Sequence, residues 1–155
     1  MRDDLSAPYR QRLVIYGDSL ATNLYQGLRS LDGCRTEAFI ISRRARRGSG
    51  LVRNGQFDWL HHIRRFAVMD RPDVIVASLG GNDRQVILAN GRRLQPFTSQ
   101  WRLEYDRRLC RFMRHLTTTL SRVFWLGLAI VRFPRISADL VKLNKLIRCR
   151  AADHN

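Results

Sequence analysis

Cysteine, lysine, acidic residues and long apolar runs are all scarce in this chain, and each scarcity removes a class of protein. Cys34, Cys110 and Cys149 are the only cysteines; they stand far apart and form no CxxC pair. An odd number at such spacing argues against a disulfide framework and a cysteine-rich zinc site, leaving free, mostly buried thiols as the expectation. The four histidines, His61, His62, His115 and His154, show no metal-ligand spacing, so neither a metal nor another cofactor is implied. The longest apolar run, 123–131, falls well short of the roughly 20 residues a membrane helix needs. The amino terminus, Met1-Arg2-Asp3-Asp4, has no apolar h-region of a secretory signal, which leaves the cytoplasm as the default location.

Acidic residues number 13 against 28 basic ones, a net charge of +15, and all the basic residues except Lys142 and Lys145 are arginine. A nucleic-acid binder often gathers such charge into one patch interleaved with exposed aromatics. Here the arginines are spread, with one dense run at Arg43, Arg44, Arg46 and Arg47. Two readings stay open: solvated faces of an arginine-biased protein, or attraction to an acidic polymer such as an anionic polysaccharide. Nucleic acid comes third.

What is present is an ordinary globular composition: 155 residues, 45% of them hydrophobic, enough for one domain with a core of its own. Leu13-Val14-Ile15-Tyr16 reads as a buried strand, cut off by Gly17-Asp18-Ser19 and followed by leucines at helical spacing from Leu20. Residues 37–41 suggest a second strand, after which the arginine run and Gly48-Ser49-Gly50 read as loop. Residues 57–69 have a helical pattern closed by Arg71-Pro72. Residues 74–79 are the clearest strand, ended by Gly80-Gly81-Asn82-Asp83. A polar stretch then runs to Ser99. Tyr105, Leu109, Phe112, Leu116 and Leu120 mark a long amphipathic helix, and 123–128 a fourth strand. Ser137 is placed to cap a last helix carrying Leu140, Leu143, Ile147 and Ala151. Continuous apolar strands alternating with helices predict a parallel sheet covered on both faces, in a single domain over 1–155 without repeats.

In such a sheet, ligands bind beyond the carboxyl ends of the strands. Both polar turns therefore belong to one edge, and if strands one and three are neighbours, Ser19 faces Asn82 across the crevice. Ser19 at a helix amino terminus would offer a nucleophilic hydroxyl and a backbone N–H for an oxyanion. Asn82 and the 48–50 loop would add further donors. Each turn by itself is also explained by turn and cap chemistry.

Gly17-Asp18-Ser19-Leu20 followed by Gly80-Gly81-Asn82-Asp83, each closing an apolar strand, resembles blocks one and three of the SGNH-hydrolase (GDSL esterase) superfamily. A closer resemblance is to a bacterial subgroup of unknown function. It is carried by Ser49-Gly50-Leu51-Val52-Arg53, Phe57-Asp58-Trp59, Asn82-Asp83-Arg84-Gln85 and Trp101 through Tyr105. The resemblance implies a three-layer α/β/α sandwich with a flavodoxin-like parallel sheet in the order 2-1-3-4. It further implies Ser19 as nucleophile, with Asp18 supporting it. Gly50 (Gly48 as the fallback) and Asn82 would complete the oxyanion hole. The activity implied is serine ester hydrolysis, the removal of an O-acyl group from a carbohydrate or cell-envelope polymer, with the envelope as the corresponding location.

The family's last block, Asp-x-x-His after a fifth strand, has no counterpart in this sequence. The expectation is a C-terminally truncated domain, weakly active or inactive, whose general base is unknown. Asp153-His154 is a poor substitute. A helix leaving the catalytic edge after strand four carries it away by roughly 22 Å at 1.5 Å per residue. His61 and His62 lie nearer that edge, with Asp58 the one local carboxylate to orient His62, although packing or surface roles are the expected ones. The rival reading is a non-catalytic binder of an acidic glycan. A bare fourth strand at the sheet edge also predicts self-association.

Overall fold

The structure is a computed structural model that describes residues 9–31, 37–53, 55–118 and 120–153. Its main sheet has four parallel strands, β1 (Gln11–Gly17), β2 (Phe39–Ala45), β3 (Val74–Ser78) and β6 (Arg122–Trp125), in the order β2-β1-β3-β6. This is the expected 2-1-3-4 arrangement. A two-stranded antiparallel ribbon, β4 (Ile87–Ala89) and β5 (Arg92–Leu94), stands apart from it. Four described helices complete the fold: α1 (Ser19–Arg29), α2 (Trp59–Asp70), α3 (Ser99–Thr117) and α4 (Pro134–Ala152).

Alternation along the central strands divides the sheet's faces. Val14 and Tyr16 on β1, with Ile75 and Ala77 on β3, join one core with Trp59 and Ile63 of α2, Leu109 and Phe112 of α3, and Leu143 of α4. Ile15, wholly buried, faces the other way, where α1 lies against β1, β2 and β3. The result is three layers, α/β/α. Edge-to-face rings tie the thicker layer to the sheet: Trp59 meets Phe112 with ring centres 6.1 Å apart, and Phe112 meets Trp125 at 5.6 Å. Such pairs each contribute about 0.5–1.5 kcal/mol beyond the area they bury.

Four sequence expectations need correction. The second strand lies at 39–45 rather than 37–41, so Arg43 and Arg44 are strand residues and not loop. An edge strand tolerates this because its side chains reach past the sheet. Arg43 lies over the Tyr25 ring at 4.9 Å, and Arg44 lies over Phe66 while pairing with Asp70. The stretch before Ser99 contains the β4–β5 hairpin, turned by Asn90-Gly91 with both φ angles positive, at 49° and 71°. Ser137 is not a cap: α4 starts three residues earlier with Pro134 in its first turn, and the Ser137 hydroxyl instead bonds Val131. Of the cysteines, Cys110 is half-buried and Cys149 exposed, neither in a disulfide; Cys34 lies outside the described residues.

Because all four main strands are parallel and in register, Gly17 sits beside Ala45 and Ser78, and Ala77 beside Trp125. The loops that leave β1, β2, β3 and β6 therefore open at one edge. Among the described residues, no helix is long and apolar enough to cross a membrane.

Candidate active site

Three of those loops build the site. After β1, Gly17 is the pivot: its φ is 156°, and a Cβ there would run into the Ser78 carbonyl. No other residue lets β1 and β3 approach so closely where the chain turns. Asp18 follows, wholly buried, as the N-cap of α1; its carboxylate accepts the Leu20 N–H at 2.8 Å. Its other oxygen accepts the Gly80 N–H and the Asn82 side-chain amide, both at 3.4 Å. One carboxylate thus ties the end of β1 to the end of β3. Burial pushes the Asp18 carboxyl up, against the pull of the backbone N–H groups around it.

Ser19 opens α1 and is half-buried. Its hydroxyl and its N–H make no hydrogen bond to any described group, as suits the first turn of a helix, where N–H groups lack helical acceptors. Asn82, also half-buried, donates from Nδ2 to the Ser49 carbonyl at 2.9 Å. The residues expected to face one another across β1 and β3 do stand on adjacent strand ends, joined through Asp18.

The loop after β2 is held from below. Arg46 N–H donates to the Gly17 carbonyl at 2.9 Å, and the buried Ser49 hydroxyl donates to Arg46 O and accepts from the Trp59 indole at 2.9 Å. Gly50 then passes directly over the Asp83 carboxylate, so closely that a Cβ would overlap it. Gly48 has φ of 71° and only the Gln56 side chain near the place of a Cβ. Between the two glycines, Gly50 is the one that the core of the site demands.

Asp83 is the residue sequence reasoning passed over. It is wholly buried and accepts the Val52 N–H at 3.1 Å and the Tyr105 hydroxyl at 3.2 Å. Burial is the main reason its carboxyl is pushed up to about 6; neighbouring donors pull it down, and Asp18 pushes it further up. Tyr105, buried beside it, has its phenol pushed well up, first by burial and then by Asp83. Arg108 is the second omission. Buried on α3, it donates to Glu104, to the Leu51 and Val52 carbonyls at 2.8 and 3.2 Å, and more loosely to Leu88. It clamps the β2 loop and the hairpin onto α3. Bonds to Arg107 and Arg108 hold the Glu104 carboxyl down to about 2. The spacing Trp101, Tyr105, Arg108 on one helical stripe was the available signal, for an arginine on a core-facing stripe needs buried acceptors.

The described histidines have other partners. His62 is stacked between Phe57 and Phe66, with ring centres 4.7 and 5.7 Å away, and Asp58 caps α2 by accepting the His61 N–H at 3.1 Å. Asp58 is a helix cap, and no bond joins it to the His62 ring. His115 lies in the last turn of α3, at the opposite end from its Thr98 cap; burial, then nearby arginines, push its imidazole down. Asp153 pairs with Arg150, and His154 lies outside the described residues. No described histidine is bonded to Ser19.

A family model described as a protein of unknown function (DUF459) matches residues 12–155. No curated protein matches the chain in sequence. Among solved structures, the chain is similar to a lipase/acylhydrolase from Enterococcus faecalis, with 15% identity and a TM-score of 0.59, covering 94% of this chain and 73% of that one. It is similar to an α/β hydrolase enzyme from the metagenome of Lake Arreo, Spain (14% identity, TM-score 0.61, covering 94% and 74%). It is similar too to a GDSL-like lipase from Bacteroides thetaiotaomicron (15%, 0.56, covering 92% and 62%). At these identities the likeness is one of fold, and it is the fold of the superfamily that the two turn motifs resemble.

Proposed function

The chain belongs to the DUF459 family, and from that membership and the meeting of three loops at one sheet edge we propose that its site is that of a serine ester hydrolase. The observation that carries this reading is Ser19 itself. It has a free hydroxyl and a free N–H at the start of α1, and Asp18 holds Asn82 on the neighbouring strand end. Gly50 brings a third N–H, with no described partner, over the buried Asp83.

In the proposed reaction the Ser19 Oγ attacks the ester carbonyl carbon. The carbonyl oxygen takes up the electron pair and is held by the Ser19 N–H, the Gly50 N–H and the Asn82 amide. Collapse expels the alcohol, which leaves with a proton, and water then releases the acid from the acyl-serine. Of the two Asn82 amide hydrogens, the one shared with Asp18 at 3.4 Å is the weaker bond and the one an oxyanion would compete for. Each such donor is worth about 2.7–4 kcal/mol of barrier.

No described group is hydrogen-bonded to the Ser19 hydroxyl, and in the proposed reaction its proton passes to water. Loss of a positioned base costs about 10²–10⁴-fold in rate. The chain is therefore expected to hydrolyse a short-chain aryl ester slowly, at or just above background. The natural substrate class is an O-acylated carbohydrate, with cell-envelope polymers the class the resemblance implies. Hydrolysis of p-nitrophenyl acetate by the purified chain tests the reading. A slow rate that falls to the buffer rate in Ser19→Ala supports it; a rate above that of buffer that Ser19→Ala leaves unchanged refutes it.

Arg84, two residues beyond Asn82, and Arg93 make no described ion pair, and they favour one second reading, a binder of acidic glycan that performs no chemistry. Binding of anionic polymer with no Ser19-dependent hydrolysis would select it.

A further inference from the structure

Next to the Asn82–Asp83 turn lies a cavity of about 890 Å³, walled by the loop after β2, by 84–86 after β3, and by the β4–β5 hairpin with the segment that follows it. Arg53, Arg84 and Arg93 line it, and no acidic residue does. Elsewhere among the described residues, Arg44 pairs with Asp70, Arg107 with Glu104 and Arg150 with Asp106. Arg84 and Arg93 form no described ion pair, and Arg53 is within reach only of the neutral Gln56 carboxamide.

Arg84 is also short of an acceptor inside the fold. Its Nε is buried without a hydrogen-bond partner. That nitrogen is closed to the cavity, so an incoming acceptor would meet the outer Nη groups of the Arg84 guanidinium, which make no described hydrogen bond. Arg108, in contrast, spends its donors on Glu104 and backbone carbonyls and serves as the wall behind the three.

The remaining lining chemistry says what kind of anion fits. Gln95 presents a carboxamide suited to hydroxyl groups, Gln85 offers its amide oxygen while its Nε2 donates to the Asn82 carbonyl at 2.9 Å, and none of the lining residues is aromatic. A nucleic-acid strand would want a stacking platform, and this cavity offers none. Guanidinium forks match carboxylate geometry, two N–H donors to two oxygens. The cavity also begins where the proposed oxyanion hole ends. Val52 follows Gly50, and Arg84 follows Asn82, by two residues each, which spans at most roughly 7 Å of chain.

We propose that this cavity binds the carboxylate-bearing sugar of the substrate, so that the ester presented to Ser19 sits on an acidic glycan. The inference rests on the Ser19 reading for the word substrate, but its test does not. Binding of trigalacturonate and of its neutral counterpart, galactotriose, is followed by calorimetry. The comparison covers the unaltered chain, Ser19→Ala, the double variant Arg84→Gln with Arg93→Gln, and a charge-matched control, Arg135→Gln with Arg148→Gln on α4. Trigalacturonate should bind the chain and Ser19→Ala alike and bind at least ten-fold more weakly to the Arg84/Arg93 variant. The control should bind as the parent does, and galactotriose should bind none of them measurably. Should the double variant fail to fold, Arg93→Gln alone, at an exposed position, carries the test with a several-fold loss. Equal weakening in the control, equal binding of galactotriose, or tighter binding of an oligothymidylate of the same charge would overturn the proposal. Loss of Ser19-dependent hydrolysis with trigalacturonate binding intact would defeat the esterase reading alone.

Discussion

The Asp83 carboxylate fills the space that a side chain on Gly50 would need. The pair fixes the β2 loop against the β3 turn, because the same carboxylate accepts the Val52 N–H one residue beyond Leu51. Gly50→Ala should therefore force the loop off Asp83 and cost about 1–3 kcal/mol, as overpacking does. In an Asp83→Ala background the added methyl meets an empty site, so its cost should shrink by at least about 1 kcal/mol. Denaturant unfolding of the four proteins measures the coupling, and strictly additive losses would show that the contact does not hold the loop.

Burial holds the Asp83 carboxyl at about 6 in the folded chain, against about 3.9 for an unperturbed Asp. A carboxyl whose folded value is raised binds its proton more tightly folded than unfolded. Between pH of about 4 and 6 the folded state then carries more protons, and stability falls as pH rises. The contribution is complete below about pH 4 and gone above about pH 6. Asp83→Asn cannot titrate and keeps the shape of the side chain. Relative to the parent it should gain about 2 kcal/mol between pH 4 and pH 7. Urea unfolding at the two pH values checks this; a difference that does not move with pH would mean that Asp83 is not a buried titrating acid.

His62 is clasped by Phe57 and Phe66, and Asp58 is engaged as a helix cap. His62→Ala should leave any Ser19-dependent ester hydrolysis within two-fold while lowering thermal stability, since it removes one ring from a stack. Turnover abolished by this substitution, with the fold intact, would instead make His62 the general base.

Strand β6 pairs only with β3 among the described residues, and Phe124, Ile130 and Phe133 on and after it are more than half exposed, at 54%, 79% and 57%. Unpaired strand edges with apolar side chains favour pairing with another chain. The charge of +15 opposes this, but its repulsion is screened beyond about 8 Å at physiological salt. Sedimentation should show a dimer or larger species growing with ionic strength. A monomer at every salt concentration would remove the edge as an interaction surface.

The sequence was most legible where one physical signal acted alone. β1 and β3 were plain because a strand buried on both faces has to be a continuous apolar run, and the strand order came from the superfamily resemblance that the motifs closing them carry. β2 was misplaced because an edge strand can carry arginines over aromatic rings, and a run of charge conceals the period of two. The β4–β5 hairpin was announced by Asn90-Gly91, but strands of three residues are too short to show alternation. Ser19 and Asn82 could be placed at one sheet edge from their turns. Asp83, adjacent to Asn82, could not be given its place, because its partners Gly50, Val52 and Tyr105 come from three separate segments that only the fold unites.

The central claim is that Ser19 is a nucleophile set in an oxyanion-binding turn. Prolonged reaction with a fluorophosphonate, followed by peptide mapping, tests it most directly, because the phosphonyl adduct mimics the tetrahedral intermediate and needs the same donors. A single adduct on Ser19 is expected, forming slowly, absent in Ser19→Ala and at least ten-fold slower in Asn82→Ala. Adducts on other hydroxyls at the same rate, or an Asn82→Ala protein labelled as fast as its parent, would contradict the account.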